Sequence, residues 1–156
     1  MRRRDRAVTE TGELLGMLAR CKICHLAFPT GGAPYVLPMN FGFDLEKGIL
    51  TLYFHCAKEG YKLQLLQANP EVGFAIDREI GEIFHEQPCR SGCYYESVIG
   101  AGRAEILTDT EEKRVALTRL MAHQFGKEID FSAEQAESVC VFRVVSSSFC
   151  AKRKES

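Results

Sequence analysis

The chain has 156 residues, 46% of them hydrophobic and 26% charged, with a formal net charge of −1. That length fits one domain burying roughly two-thirds of its unfolded surface, and that charge projects no field toward nucleic acid or an anionic membrane. No apolar run reaches the roughly 18 residues of a membrane helix and no apolar signal core follows the basic start, so the expectation is a soluble, cytoplasmic protein.

In chain order, Arg2, Arg3, Arg4 and Arg6 form a basic arm, read with residues 1–8 as mobile. Thr9 or Thr11 can cap a helix running to about Cys21, with Leu14, Leu15 and Leu18 on one face. Ile23–Phe28 reads as a strand and Pro29–Pro34 as a turn. Tyr35–Phe43 is a second strand, in which Pro38 removes a ladder donor and marks an edge, a bulge or an opening. Asp44–Gly48 is a hairpin turn, and Ile49–Phe54 a third strand.

The stretch from Leu52 to Pro70 organises the chain. The third strand passes through the polar turn His55-Cys56-Ala57-Lys58-Glu59-Gly60 into a helix that buries Leu63, Leu65 and Leu66 and closes at Asn69-Pro70. A helix N-terminus leaves N–H groups unpaired and carries partial positive charge. Gly60 lets backbone approach a ligand, and Lys62 adds a full charge in the first turn, a combination that suits a phosphate. The plainer alternative is a strand–turn–helix with a solvated lysine.

Val72–Ile76 is the fourth strand, Asp77–Gly92 a polar loop, and Tyr94–Leu107 a long fifth strand. Gly100 and Gly102 on one face of that strand either clear room for a ligand or permit a sharp bend. Thr108 or Asp109 caps a helix from about Thr110 to Phe125, with a stripe of Ala116, Leu117, Leu120 and Met121. His123 near its end reads as a surface or C-terminal charge partner. Phe131–Ala136 is a short helical turn, Val139–Val145 the last strand, and residues 147–156, ending KRKES, a mobile tail.

Cysteines occupy positions 21, 24, 56, 89, 93, 140 and 150. An odd number without a secretory signal argues against a disulfide framework. Cys21-Lys-Ile-Cys24 has the spacing of a redox or zinc pair, but it runs into an apolar strand, and Cys89 and Cys93 are irregularly spaced with no matching His pair. Free, partly buried thiols and no metal are the expectation. The strands succeed one another with short turns, which predicts a mainly β protein: an antiparallel barrel with flanking helices. No G-x-G-x-x-G, Walker loop, H-E-x-x-H or G-x-S-x-G is present.

MRRRDRAVT, LAF, PYVLPMNFGF, LYFHCAKEGYKLQLLQANPEVGF and YESVIGAGRAEI, in this order, resemble the pyridoxamine 5′-phosphate oxidase-like family, nearest its nitroimidazole-resistance reductase branch. The resemblance runs to about Val145, and its most specific piece is YFHCAKEGYK with the NP that follows. It implies a homodimer of six-stranded antiparallel split barrels with an FMN in each of two interface clefts. By position, Lys62 would contact the FMN phosphate, and His55, Cys56, Ala57 and Gly60 would run along the ribityl-phosphate. Leu37, Pro38, Met39 and Asn40 would lie against the isoalloxazine, Ser97 would match a polar flavin contact, and Gly102 would relieve crowding beside it. His55 is the candidate catalytic residue, orienting substrate or donating a proton, or else only bonding the turn. True pyridoxamine 5′-phosphate oxidases end in a segment rich in Arg and containing Trp, whereas this chain has no Trp and ends KRKES, so B6 oxidation is not expected.

The resemblance therefore implies an FMN-dependent oxidoreductase acting on a small molecule, with nitro groups such as those of 5-nitroimidazoles as candidates. The alternative from another class is a non-enzymatic module that stores or senses flavin or haem, with His55 and His123 as the only handles for haem. An empty structural barrel is the third possibility.

Overall fold

In the computed structural model, which describes residues 3–155, strand β1 (Ala7–Val8) leads into helix α1 (Thr11–Arg20). Strands β2 (Ile23–Phe28), β3 (Tyr35–Asn40), β4 (Gly42–Glu46) and β5 (Ile49–Cys56) follow, then helix α2 (Tyr61–Ala68). The long strands β6 (Glu71–Ile83) and β7 (Gly92–Ile106), helices α3 (Thr110–Phe125) and α4 (Ala133–Glu137), and strand β8 (Cys140–Lys154) complete the chain. The strands form one antiparallel sheet in the order β3-β2-β6-β7-β8-β5-β4, with β1 added to β8. The two ends of that path, β3 and β4, are separated in sequence by Phe41 alone. The sheet therefore curls until its two edges meet at that corner, as a split barrel requires.

Alternation explains the curl. Leu50, Leu52 and Phe54 on β5 and Cys24, Leu26 and Phe28 on β2 all point inward and are fully buried. Phe54 and Phe142, on the paired strands β5 and β8, stack with centroids 5.1 Å apart. Helix α1 adds Leu14, Met17 and Leu18 to the same core. Helices α3 and α4 cover a second, smaller cluster of Leu107, Ala116, Leu117, Ala136 and Val141.

The mainly β, helix-flanked antiparallel fold is the expected one, with eight strands in its sheet where six were expected. The surplus has two sources: the two-residue β1, and a break at Phe41 that divides the expected strand Tyr35–Phe43. Pro38 does not interrupt β3; it pairs with His25, because β3 is an edge strand and its missing N–H is no loss there. The β4–β5 hairpin turns on Lys47 (φ 51°) and Gly48 (φ 79°), which moves Asp44, Leu45 and Glu46 from the expected turn onto β4.

Other expectations are corrected in the same way. Half of the expected loop Asp77–Gly92 is strand, since β6 runs on to Ile83 against the start of β7. The expected mobile tail is β8, paired with β7 as far as Lys154, and the arm is anchored by Ala7 and Val8 on β8. Arg2 lies outside the described residues. The N-cap of α1 is Glu10, with no capping side chain from Thr9 or Thr11, and Leu15 is 38% exposed while Met17 takes its place in the core. Helix α3, by contrast, begins at its expected cap, where Asp109 accepts a hydrogen bond from the Glu112 N–H.

Gly42 is what lets α3 lie on β4. A Cβ there would stand 2.5 Å from the Leu120 nitrogen and 2.8 Å from the Arg119 carbonyl carbon, both backbone atoms that cannot rotate away. Gly42→Ala is expected to cost about 2 kcal/mol, read as a lower urea midpoint with an unchanged m-value.

Candidate functional site

Helix α2 starts sharply because Gly60 sits at φ 144°, a conformation L side chains rarely adopt, with open space where a Cβ would be. No side chain caps the helix, so the first N–H groups of α2 face outward unpaired by their own helix. Lys62 is half-buried in that first turn. Among the described residues it makes no ion pair. Backbone donors, a bare glycine and an unpaired ammonium together fit a phosphate dianion.

His55 and Cys56, expected in the turn, are instead the last residues of β5, opposite Val141 and Cys140 on β8. His55 is exposed, and Ala57 opens the turn. The edge strand β3 comes to the same rim. Tyr35 at its start meets Tyr61 of α2 edge-on, with centroids 5.2 Å apart, and α2 packs beside β2, the partner of β3. Leu37 and Met39 pack partly inward, while Pro38 and Asn40 face out. The Asn40 amide is committed to the corner, donating to the Lys22 carbonyl at 3.2 Å and to Gln124 Oε1 at 3.0 Å. The Tyr35–Tyr61 contact was not readable from sequence, because it depends on how β3 folds back over β2.

Two predicted residues are not brought to this rim. Ser97 lies on β7 opposite Lys152 of β8, whereas His55 lies opposite Val141 at the other end of the same strand. From Val141 to Lys152 the contour is roughly 36 Å at about 3.3 Å per residue. Within one chain, Ser97 therefore does not join Lys62. Gly102 is buried against the chain's own β8: a Cβ would lie 2.6 Å from the Val145 carbonyl oxygen, at the register shift between Ala101 and Arg103. Of its two readings, the bend is the one this geometry supports.

His123 is half-buried rather than a solvated charge partner. It packs 4.7 Å from Phe41 and 5.0 Å from Phe43, and its Nε2–H donates to the Cys21 carbonyl at 2.8 Å. Burial pushes its pKa down, with the Lys22 ammonium adding to the effect. The folded protein therefore favours the neutral ring relative to the unfolded chain, which protonates near 6.5. Stability from this site is present above pH ~6.5 and is lost as pH falls below it. His123→Gln is expected to flatten the urea midpoint against pH as pH falls below about 6.5, compared with the parent protein.

Cys21 and Cys24 are both buried, and burial pushes their thiols up to about 11 and about 12. Two surface clefts lie away from the rim, one bounded by Asp44, Lys47 and Tyr53, another by Thr11, Leu45 and Phe149. No helix of the described residues is long and apolar enough to cross a membrane.

A family model described as pyridoxamine 5′-phosphate oxidase matches residues 10–151. Among solved structures, a candidate 5-nitroimidazole antibiotic resistance protein from Bacteroides thetaiotaomicron is 27% identical, covering 96% of this chain and 90% of its own, with a TM-score of 0.72. The flavocytochrome Anf3 from Azotobacter vinelandii is 19% identical over 100% of this chain and 72% of its own, with a TM-score of 0.80. An FAD and heme binding protein from Mycobacterium smegmatis is 16% identical over 97% and 74%, with a TM-score of 0.79. The last two establish likeness of fold. No curated protein matches the chain.

Proposed function

Since the chain belongs to the pyridoxamine 5′-phosphate oxidase family, we propose that it is an FMN-binding oxidoreductase that reduces small molecules, nitroaromatic compounds among them. The observation that carries this is the start of α2: Gly60 at φ 144° and Lys62, without an ion pair among the described residues, beside outward N–H groups, a cradle for the cofactor phosphate. Lys62 and the turn from Ala57 to Gly60 hold the phosphate, and the edge strand from Leu37 to Asn40 offers backbone groups to the ring. The bound flavin supplies hydride or electron transfer. His55 is exposed at the rim, and in this reading it orients substrate or gives a proton.

The rim of one chain is open, and Ser97 is far from it. A homodimer resolves both facts: a second copy closes the rim and brings its own Ser97 to the cofactor. Melting of the apoprotein should then depend on concentration. We assign the protein to the cytoplasm on the same reading.

The test is anaerobic. The FMN-loaded protein, reduced with stoichiometric dithionite, should be reoxidised on adding a 5-nitroimidazole. Flavin that stays reduced for many minutes removes nitro reduction and leaves FMN binding standing.

The alternative is a non-enzymatic flavin or haem module, prompted by the haem-binding names among the fold neighbours. Of its two histidine handles, His123 is already bonded to the Cys21 carbonyl, which leaves His55. Parallel titrations with FMN and haemin separate the readings, since tight haemin binding without FMN affinity favours the module.

A further inference from the structure

We propose that Cys56 and Cys140 form a reversible cross-strand thiol–disulfide couple at the rim beside Lys62. The two residues are direct partners in the β5–β8 ladder, at its last rung. Opposed residues of an antiparallel pair have Cα atoms about 4.5–5.5 Å apart, inside the roughly 4.4–6.8 Å that a disulfide spans. Both thiols are free and half-buried.

The other cysteines are not matched in this way. Cys24 stands opposite Met39 and Ile76, Cys93 opposite Glu82, and Cys150 opposite Ile99. Cys21 and Cys24 are three positions apart on chain that is extended from Ile23, roughly 10 Å of contour and beyond disulfide reach. Cys89 lies in the short turn between β6 and β7.

The geometry also says what kind of bond this is. Cβ atoms of cross-strand partners sit about 4.5–5.5 Å apart, wider than the ~3.8 Å a disulfide prefers. Closing the bond draws two strand ends together, so the bridge is strained and readily reduced, as a regulatory bond is. Burial pushes the Cys56 thiol up to about 11; the adjoining Cys140 adds to this and the Lys62 ammonium opposes it. The scarcity of thiolate makes the exchange slow at neutral pH.

The co-reactant is a low-molecular-weight disulfide such as oxidised glutathione. One protein thiolate attacks a sulfur of that disulfide, forming a protein–glutathione disulfide and expelling one glutathione thiolate, which takes up the proton the protein lost. The second protein thiolate attacks the protein sulfur of the mixed bond and expels the second glutathione in the same way. Two protein thiols are oxidised, and one small disulfide is reduced to two thiols. The product fixes β5 to β8 at the point where β5 enters the Ala57–Gly60 turn.

The test needs no flavin, so its result stands apart from that of the cofactor reading. The apoprotein is held at pH 8 with excess oxidised glutathione, the remaining thiols are alkylated, and the protein is digested without reduction. The expected result is a Cys56–Cys140 linked peptide as the main internal product, lost on treatment with dithiothreitol. In Cys140→Ser, Cys56 should instead be found as the glutathione mixed disulfide. Recovery of both cysteines in the parent protein as alkylated thiols, as separate glutathione adducts or bridged to other cysteines would overturn the proposal.

Discussion

On the proposed function, Lys62→Ala is expected to raise the FMN dissociation constant by roughly 10- to 150-fold, or about 1.5–3 kcal/mol, the scale of a charge-assisted contact. The size follows from what the variant keeps. The N–H groups at the start of α2 and the bare Gly60 remain, so part of the phosphate cradle survives. The lost part is a half-buried ammonium with no carboxylate of its own among the described residues. At an effective dielectric near 20, such a contact is worth about 4 kcal/mol before desolvation is subtracted. Riboflavin, which lacks the phosphate, should bind parent and variant alike. Lys58→Ala should change little, because Lys58 is exposed in the turn and lies within the field of Glu137. Fluorescence titration reads all three. An unchanged constant in Lys62→Ala would put the phosphate elsewhere.

Glu96→Ala is expected to cost about 3 kcal/mol of folding stability, a large effect for a polar residue outside the rim. Glu96 is 2% exposed on β7, yet it is a carboxylate. Arg20 of α1 holds it through two nitrogens, and Arg78 Nε on β6 approaches Oε2 to 3.0 Å. Burial alone would raise its pKa, but the Arg20 hydrogen bonds and the charges of Arg20, Arg78 and Arg153 outweigh burial and hold it below the usual carboxylate range. Removing the carboxylate strands two cations over a cavity. Their partial exposure, 42% and 36%, lets water recover some of the loss and keeps the cost at the low end for a broken buried pair. The sign with pH is fixed. A carboxylate with a lowered folded pKa contributes stability above its unfolded value near 4.5, and that stability fades as pH falls through the folded pKa. Parent and variant should therefore converge in acid, which guanidinium unfolding at pH 7 and at progressively lower pH will read.

Local signals were legible and register was not. Helix α3 can be read from its own residues: Asp109 caps it, Glu111 and Glu112 fill its first turn, and Gly126 ends it in the left-handed region at φ 66°. The helix after Gly60 and its buried Leu63, Leu65 and Leu66 follow from spacing in the same way. β8 beyond Val145 could not be read, because Ser146-Ser147-Ser148 and a basic end look like loop; the partners that make it strand are β7 and β1, far away in sequence. The extension of β6 through Asp77–Ile83 was hidden for the same reason, since its pairing with β7 leaves both faces mostly exposed and no alternation marks it.

The site divides along the same line. The turn and Lys62 are contiguous in sequence and so could be found. That Cys140 stands opposite Cys56, that Asn40 is spent on Gln124, and that Ser97 lies at the far end of β8 are facts of pairing which no local pattern encodes.

The most direct measurement mixes the purified apoprotein with FMN and passes it through a gel-filtration column. The account predicts that the flavin's visible absorption elutes with the protein at about one FMN per chain, in a peak of twice the chain's mass. Flavin that elutes free, leaving a colourless protein peak at every concentration tried, would contradict it.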